Sequence, residues 1–155
     1  MRRASFDDVH CSVAQTLEVV GEWWTPMILR DLFLGVRRFE DFQERLGIAR
    51  NTLTDRLNAL VDHGIVDRVP YQERPVRHEY RLTDKGTDLW HVVTALREWG
   101  DRWAAPDGPP LKVTHRDCGG PTALHVACEV CAETLSRRDV TVAPGPGLGP
   151  GSPVT

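Results

Sequence analysis

Apolar positions recur at helical spacing from Ser12 to Val20, where Val13, Leu17 and Val20 share one face and Gly21 closes the pattern. This predicts a short first helix. Thr25 and Pro26 mark the start of a second, since proline is tolerated in a first turn, and Ile28, Leu29, Leu32 and Phe33 form its stripe up to Gly35. Phe39, Phe42 and Leu46 follow at i, i+3 and i+7 and stop at Gly47, which predicts a third helix of about two turns. Leu53, Leu57, Leu60 and Val61 give the buried stripe of a fourth, ended by His63-Gly64, with Arg50, Asn51, Thr52, Asp55, Arg56 and Asn58 at its polar positions. Only Gly47, Ile48 and Ala49 separate the third and fourth helices, so the chain must turn a sharp helix-to-helix corner there.

Two short alternating segments come next, Ile65 to Tyr71 and His78 to Thr83, around Gln72-Glu73-Arg74-Pro75-Val76-Arg77. They predict a hairpin with an arginine-bearing tip. Asp84 caps a last long helix, in which Leu89, Val92, Val93, Leu96, Trp99 and Trp103 form an aromatic-rich stripe. The fold class expected is α+β, mainly helical: a winged helix-turn-helix domain over residues 1–104, with a small C-terminal ribbon over 111–142. Residues 105–110 read as a Pro/Gly linker and 143–155 as a disordered Gly/Pro tail, because prolines fill the positions between its glycines and no strand precedes it.

Composition narrows the picture. With 155 residues, 41% hydrophobic and 26% charged, the chain has the make-up of one ordinary domain with an appendage and excludes a large multidomain enzyme. The opening residues lack a signal-peptide pattern, and LEVVGEWWTPMIL is broken by glutamates, Thr25 and Pro26, so a cytoplasmic protein without a membrane span is expected. The net charge of −3 argues against a generic polybasic binder and directs attention to local charge.

Locally, a helix-turn-helix followed by a hairpin is a device for presenting one helix to the major groove of double-stranded DNA while the hairpin reaches the adjacent phosphates. Between Arg37 and Arg56 stand five arginines and four acids, so arrangement matters more than the sum. Arg50, Asn51, Thr52, Asp55 and Arg56 are expected at the exposed start or outer face of the fourth helix, where arginine reads guanine edges and asparagine adenine edges. Arg68, Arg74, Arg77 and Arg81 cluster on the wing, with Arg38 nearby, and Pro75 stiffens its tip; Arg38, Arg74 and Arg77 are the expected phosphate contacts.

These segments resemble the HxlR-type winged helix regulators, relatives of the MarR group. The carriers are Cys11-Ser-Val-Ala, Gly21-Glu-Trp-Trp-Thr leading into Ile28-Leu-Arg-Asp-Leu, Gly35-Val-Arg-Arg-Phe39, Leu53-Thr-Asp-Arg-Leu57, His63-Gly-Ile-Val66, Tyr71-Gln-Glu-Arg-Pro75 and Tyr80-Arg-Leu-Thr-Asp-Lys-Gly86, covering residues 11–104. The resemblance implies a homodimeric bacterial transcription factor, with dimer contacts from the first and last helices, acting on an inverted-repeat operator. It also implies that a cysteine at the place of Cys11 serves some members as a redox sensor. The chain departs from the usual Gly-Glu-Arg-Trp or Gly-Lys-Trp in having Trp23 and Trp24 adjacent, and a second indole there is a candidate wall for a small-molecule effector pocket. The alternative is a winged helix protein that binds or transforms a small molecule without regulating DNA, which a mobility-shift assay discriminates.

In the ribbon, His115-x-x-Cys118 and Cys128-x-x-Cys131 have the spacing of two zinc knuckles. Three thiolates and one imidazole suit a structural Zn2+ in a segment too small for an apolar core, with His125 as a substitute ligand. Catalysis is not expected: there is no HExxH, phosphate loop or nucleophile elbow.

Overall fold

The computed structural model describes Phe6 and residues 9–148, arranged as two compact units that divide at Val93/Thr94. Residues 149–155 of the expected tail lie outside the described residues, whereas 143–148 carry no helix or strand.

The first unit runs α1 (Ser12–Val20), α2 (Trp24–Phe33), α3 (Phe39–Leu46), α4 (Arg50–Asp62), β1 (Val66–Glu73), β2 (Val76–Leu82) and α5 (Asp84–Asp88), and α6 (Trp90–Trp103) crosses the division. Its core gathers Ile28, Leu29 and Leu32 from α2, Phe42 from α3, Leu53, Leu57 and Leu60 from α4, and Ile65, Val66 and Tyr80 from the base of the wing. Burial of these apolar side chains is the main force holding the three-helix core to the hairpin. Phe42 and Tyr80 meet edge to face at 6.4 Å.

The corner between α3 and α4 follows from three residues. Gly47 takes φ +62, which a side chain would resist, and ends α3 with its N–H on the Gln43 carbonyl. Ile48 is buried in the core and Ala49 is the extended residue from which α4 starts. Asp31, wholly buried in α2, braces the same corner: it accepts from Arg30 Nε at 2.9 Å and Nη2 at 2.7 Å, and from Arg45 Nε of α3 at 3.2 Å.

The wing is longer than the sequence pattern suggests. Strands β1 and β2 pair antiparallel out to Glu73↔Val76, so only Arg74 and Pro75 form the turn and not the six residues from Gln72 to Arg77. Both faces of the outer wing are solvated, so backbone pairing continues there without any alternation of side chains to announce it. The register shifts between Pro70 and Gln72, where Tyr71 is the extra residue; Pro70 sits in β1 because a two-stranded sheet leaves an outer edge that needs no donor. Arg38 adds an isolated bridge to Glu79.

The long last helix is two helices. Thr83, not Asp84, is the N-cap of α5, its Oγ1 accepting from the Gly86 N–H at 3.0 Å. At Leu89 the turn tightens, with its N–H on the Gly86 carbonyl at 3.2 Å, and α6 begins at Trp90.

The second unit contains the rest of α6 and two loops closed by single β-bridges, Thr114↔Pro121 and Ala127↔Thr134, followed by a short 3-10 turn at Arg137–Asp139 capped by Ser136. Residues 111–142, over which the small ribbon is expected, hold these two looped turns and the 3-10 turn. Among the described residues, no helix is long and apolar enough to cross a membrane.

Candidate nucleic-acid interface

Helix α4 buries Leu53, Leu57 and Leu60, so its outward face is set by 3.6-residue geometry. That face carries Asn51, Thr54, Asp55 and Asn58, all exposed. Thr54 is partly committed, its Oγ1 donating to the Arg50 carbonyl at 2.9 Å. The amides of Asn51 and Asn58 and the carboxylate of Asp55 are directed at solvent as a contiguous donor–acceptor row. The sequence points to Asn51 and Asp55; the missed partner is Asn58, and its signal is the i+7 spacing from Asn51.

Arg56 stands elsewhere. It lies three residues after Leu53 and four before Leu60, which places it on the flank of the buried stripe, and its Nη1 is 3.7 Å from Oε2 of Glu22, in the connection between α1 and α2. Thr52 is likewise half-buried. Neither occupies the outward face on which the sequence reading sets them. Arg50 is exposed at the first position of α4, with its guanidinium 4.9 Å from the centre of the Phe39 ring. Stacking of this kind holds the head without neutralising it.

The wing presents the second cluster. Arg38 rests on Tyr71 at 4.6 Å from the ring centre and pairs with Glu79 at 3.6 Å, and Arg81 reaches the same carboxylate at 3.2 Å. One glutamate thus offsets two arginines near the wing base. Arg74 and Arg77 at the tip are exposed, and no ion pair engages either among the described residues. Burial raises the Tyr80 phenol above its ordinary pKa, and Arg68, its partner in the strand register, offsets part of that rise. The arrangement is a polar row of two amides and one carboxylate on the exposed face of a helix, together with a cationic hairpin tip.

The remaining predicted sites are spread out. Trp23 is 91% exposed and Trp24 36%, so a single chain encloses neither. Cys11 is an exposed thiol at the N-cap of α1. His115 Nδ1 lies 3.1 Å from Cys118 Sγ, and Cys128 accepts backbone N–H bonds from Cys131 and Val130 that lower its thiol pKa. The two pairs are formed separately: among the described residues no three His, Cys, Asp or Glu side chains are gathered where one metal ion would hold them. His125 is exposed and belongs to neither pair.

The pattern of the HxlR-like helix-turn-helix family matches residues 19–108, more than half of the chain and the whole of α2 through the wing. The chain belongs to the HxlR-like helix-turn-helix family. An HTH-type transcriptional regulator of Mycobacterium tuberculosis is 49% identical over 138 residues, 88% of this chain and 87% of its own. That match is too long to end at residue 108, so the similarity to this relative takes in part of the C-terminal segment as well. A Synechocystis HTH-type regulator is 36% identical over 60% of this chain and 70% of its own. Among solved structures, the transcription factor PA1607 superposes with a TM-score of 0.82 at 40% identity, over 92% of this chain and all of that one. The redox regulator HypR in its reduced form superposes with a TM-score of 0.57 at 33% identity, over 63% of this chain and 95% of its own. This HxlR-family member is a winged helix-turn-helix transcriptional regulator.

Proposed function

We propose that the protein acts in the cytoplasm as a homodimer on an inverted-repeat operator in double-stranded DNA, with α4 in the major groove and the wing tip on the flanking backbone. The carrying observation is the outward face of α4, whose exposed side chains are able to pair with base edges, together with two wing-tip arginines that no ion pair engages among the described residues. No catalytic step belongs to this reading. Mobility shift on the intergenic DNA beside its own gene tests it; binding no tighter than to scrambled DNA rejects it.

Two results separate the roles within the interface. Asn51→Ala and Asn58→Ala each remove roughly 1–3 kcal/mol of discrimination between operator and scrambled DNA, because a bidentate amide contact to adenine is lost while phosphate contacts remain. Equal losses on both DNAs, measured by competition, would assign these amides no part in readout. Arg74→Ala and Arg77→Ala each weaken binding to every sequence and flatten the log–log salt dependence by about 0.9 per lost contact. Titrations at several salt concentrations check this, and an unchanged slope removes the wing from the backbone.

For the signal that controls binding, the geometry favours thiol chemistry. Cys11 is exposed at a helix start, and HypR is described in reduced and oxidised forms. A small-molecule effector held by Trp23 and Trp24 would need walls from a second chain, given the exposure of Trp23.

A further inference from the structure

The two loops of the second unit are copies of one another at a spacing of 13 residues. Val113-Thr-His115-Arg-Asp-Cys118-Gly-Gly-Pro-Thr122 and Val126-Ala-Cys128-Glu-Val-Cys131-Ala-Glu-Thr-Leu135 share little side-chain chemistry apart from the valine and the second cysteine. Their backbones nevertheless make the same bonds at the same offsets. The N–H of His115 donates to the Gly120 carbonyl at 2.8 Å, and that of Cys128 to the Glu133 carbonyl at 2.9 Å. Gly119 N–H returns to the His115 carbonyl at 2.8 Å, and Ala132 N–H to the Cys128 carbonyl at 2.9 Å. Thr122 donates to Val113 at 3.2 Å and Leu135 to Val126 at 2.7 Å, and the bridges Thr114↔Pro121 and Ala127↔Thr134 close both loops at the same place.

One residue makes the correspondence costly. The position after the second cysteine takes a left-handed backbone in both loops, φ +67 at Gly119 and +59 at Ala132. Ala132 is the one non-glycine residue with positive φ among the described residues, and alanine resists that conformation. The unit has little apolar packing to impose it: no described residue after Thr94 is buried. A segment of this size without a core is ordinarily stabilised by disulfides or metal, and Cys118, Cys128 and Cys131 are all free thiols.

We propose that the paired loops are the two halves of a single soft-cation site, closing on one Zn2+-class ion through His115, Cys118, Cys128 and Cys131. The repeat decides the fourth ligand. His115 occupies the position of Cys128, whereas His125 precedes the second copy and matches nothing in the first. Three sulfurs and one imidazole suit a tetrahedral borderline-soft ion over Mg2+ or Ca2+, which take oxygen ligands. Each half is formed in the described structure, and the cation supplies the attraction that draws the halves together, so that the ordering of this unit is coupled to metal. The proposal is independent of DNA binding.

Cobalt is the probe. Reduced full-length chain titrated with Co2+ is expected to take up one equivalent, develop the intense visible bands of tetrahedral cobalt with a thiolate charge-transfer band, and release it to one equivalent of Zn2+. His115→Cys, which makes the first loop match the second, keeps the stoichiometry and strengthens the charge-transfer band by a third, from three thiolates to four. His125→Ala changes neither. Cys128→Ser with Cys131→Ser abolishes the tetrahedral spectrum, while operator binding by the same protein reports that the winged helix domain is still folded. The proposal is overturned by a weak octahedral spectrum, by a stoichiometry of one metal per two chains, or by loss of binding in His125→Ala with retention in His115→Ala. A metal-free protein isolated with a Cys128–Cys131 disulfide under reducing conditions would also overturn it.

Discussion

Leu96→Glu combined with Trp99→Glu is expected to yield a folded monomer that binds its operator roughly 10²–10⁴-fold more weakly than the parent chain, the range set by loss of bivalency. Helix α6 carries two apolar sides. Leu89, just before it, and Val93 pack on the core, whereas Val92, Leu96, Trp99 and Trp103 face solvent at spacings of four, three and four, the seam of a helix that packs on another. Leu96 is 55% exposed, Trp99 65% and Trp103 70%. A buried tryptophan contributes roughly 150–250 Å2 of contact, at about 25 cal/mol per Å2, so two from each protomer supply enough to offset the roughly 4–15 kcal/mol of association entropy. Four glutamates across a two-fold axis would remove half of that tryptophan area together with both leucines and add repulsion, with no loss of helix propensity. Sedimentation at micromolar concentration, circular dichroism and mobility shift together test this. A variant that remains dimeric would transfer the interface to another surface.

Gly86→Ala is expected to destabilise the winged helix domain by about 3 kcal/mol, at the upper end of overpacking. Helix propensity alone forecasts the reverse, a gain of about 1 kcal/mol for alanine inside a helix. Packing reverses the sign: a Cβ on Gly86 would lie 2.1 Å from the Ile65 carbonyl oxygen, 3.1 Å from its carbon and 3.0 Å from Leu82 Cδ2. The first two are backbone atoms and cannot rotate away. Relief requires α5 to move from the wing base, which also loosens the Thr83 cap that accepts the Gly86 N–H. Gly100 in α6 is the control, since its Cβ would meet nothing within 4 Å and Gly100→Ala is expected to be neutral or stabilising. Urea denaturation of both variants decides the matter, and equal midpoints would show that the α5–wing contact is soft.

The positions of the early elements were legible because each ends on a local signal. Gly21, Gly47 and His63-Gly64 stop α1, α3 and α4 where the periodicity predicts. The helix-turn-helix corner is equally local, because three residues between two helices leave the chain little choice. Elements whose limits depend on distant partners were less legible. The outer wing has no apolar alternation to mark its extent, and the break at Leu89 arises in a stretch whose apolar spacing continues through it.

On α4, Asn51 and Asp55 stand on the exposed face where the sequence sets them, whereas the place of Arg56 on the flank could not be read without knowing that Glu22 lies beside it. The 13-residue repeat is hidden in the sequence because the two copies agree in backbone bonding far more than in side chains. Gly119 and Ala132 occupy one conformation, and only glycine advertises it.

What the sequence determined by itself is which positions are apolar and where the helices carrying them stop. Val13, Leu17 and Val20 on α1 read as one face by the same spacing that correctly places Leu53, Leu57 and Leu60, while the stripe from Val92 to Trp103 is longer than a small winged domain buries by itself. The tertiary structure alone shows that Ala14 and Val20 face inward from α1 while Val13 is left at the surface, and that Val93 parts from the rest of its stripe to join the core, leaving Leu96 and Trp99 exposed. The reason is that the hydrophobic effect has no direction: spacing records that a face must leave water, and only the packed core, once its space is filled, decides which faces remain for another chain.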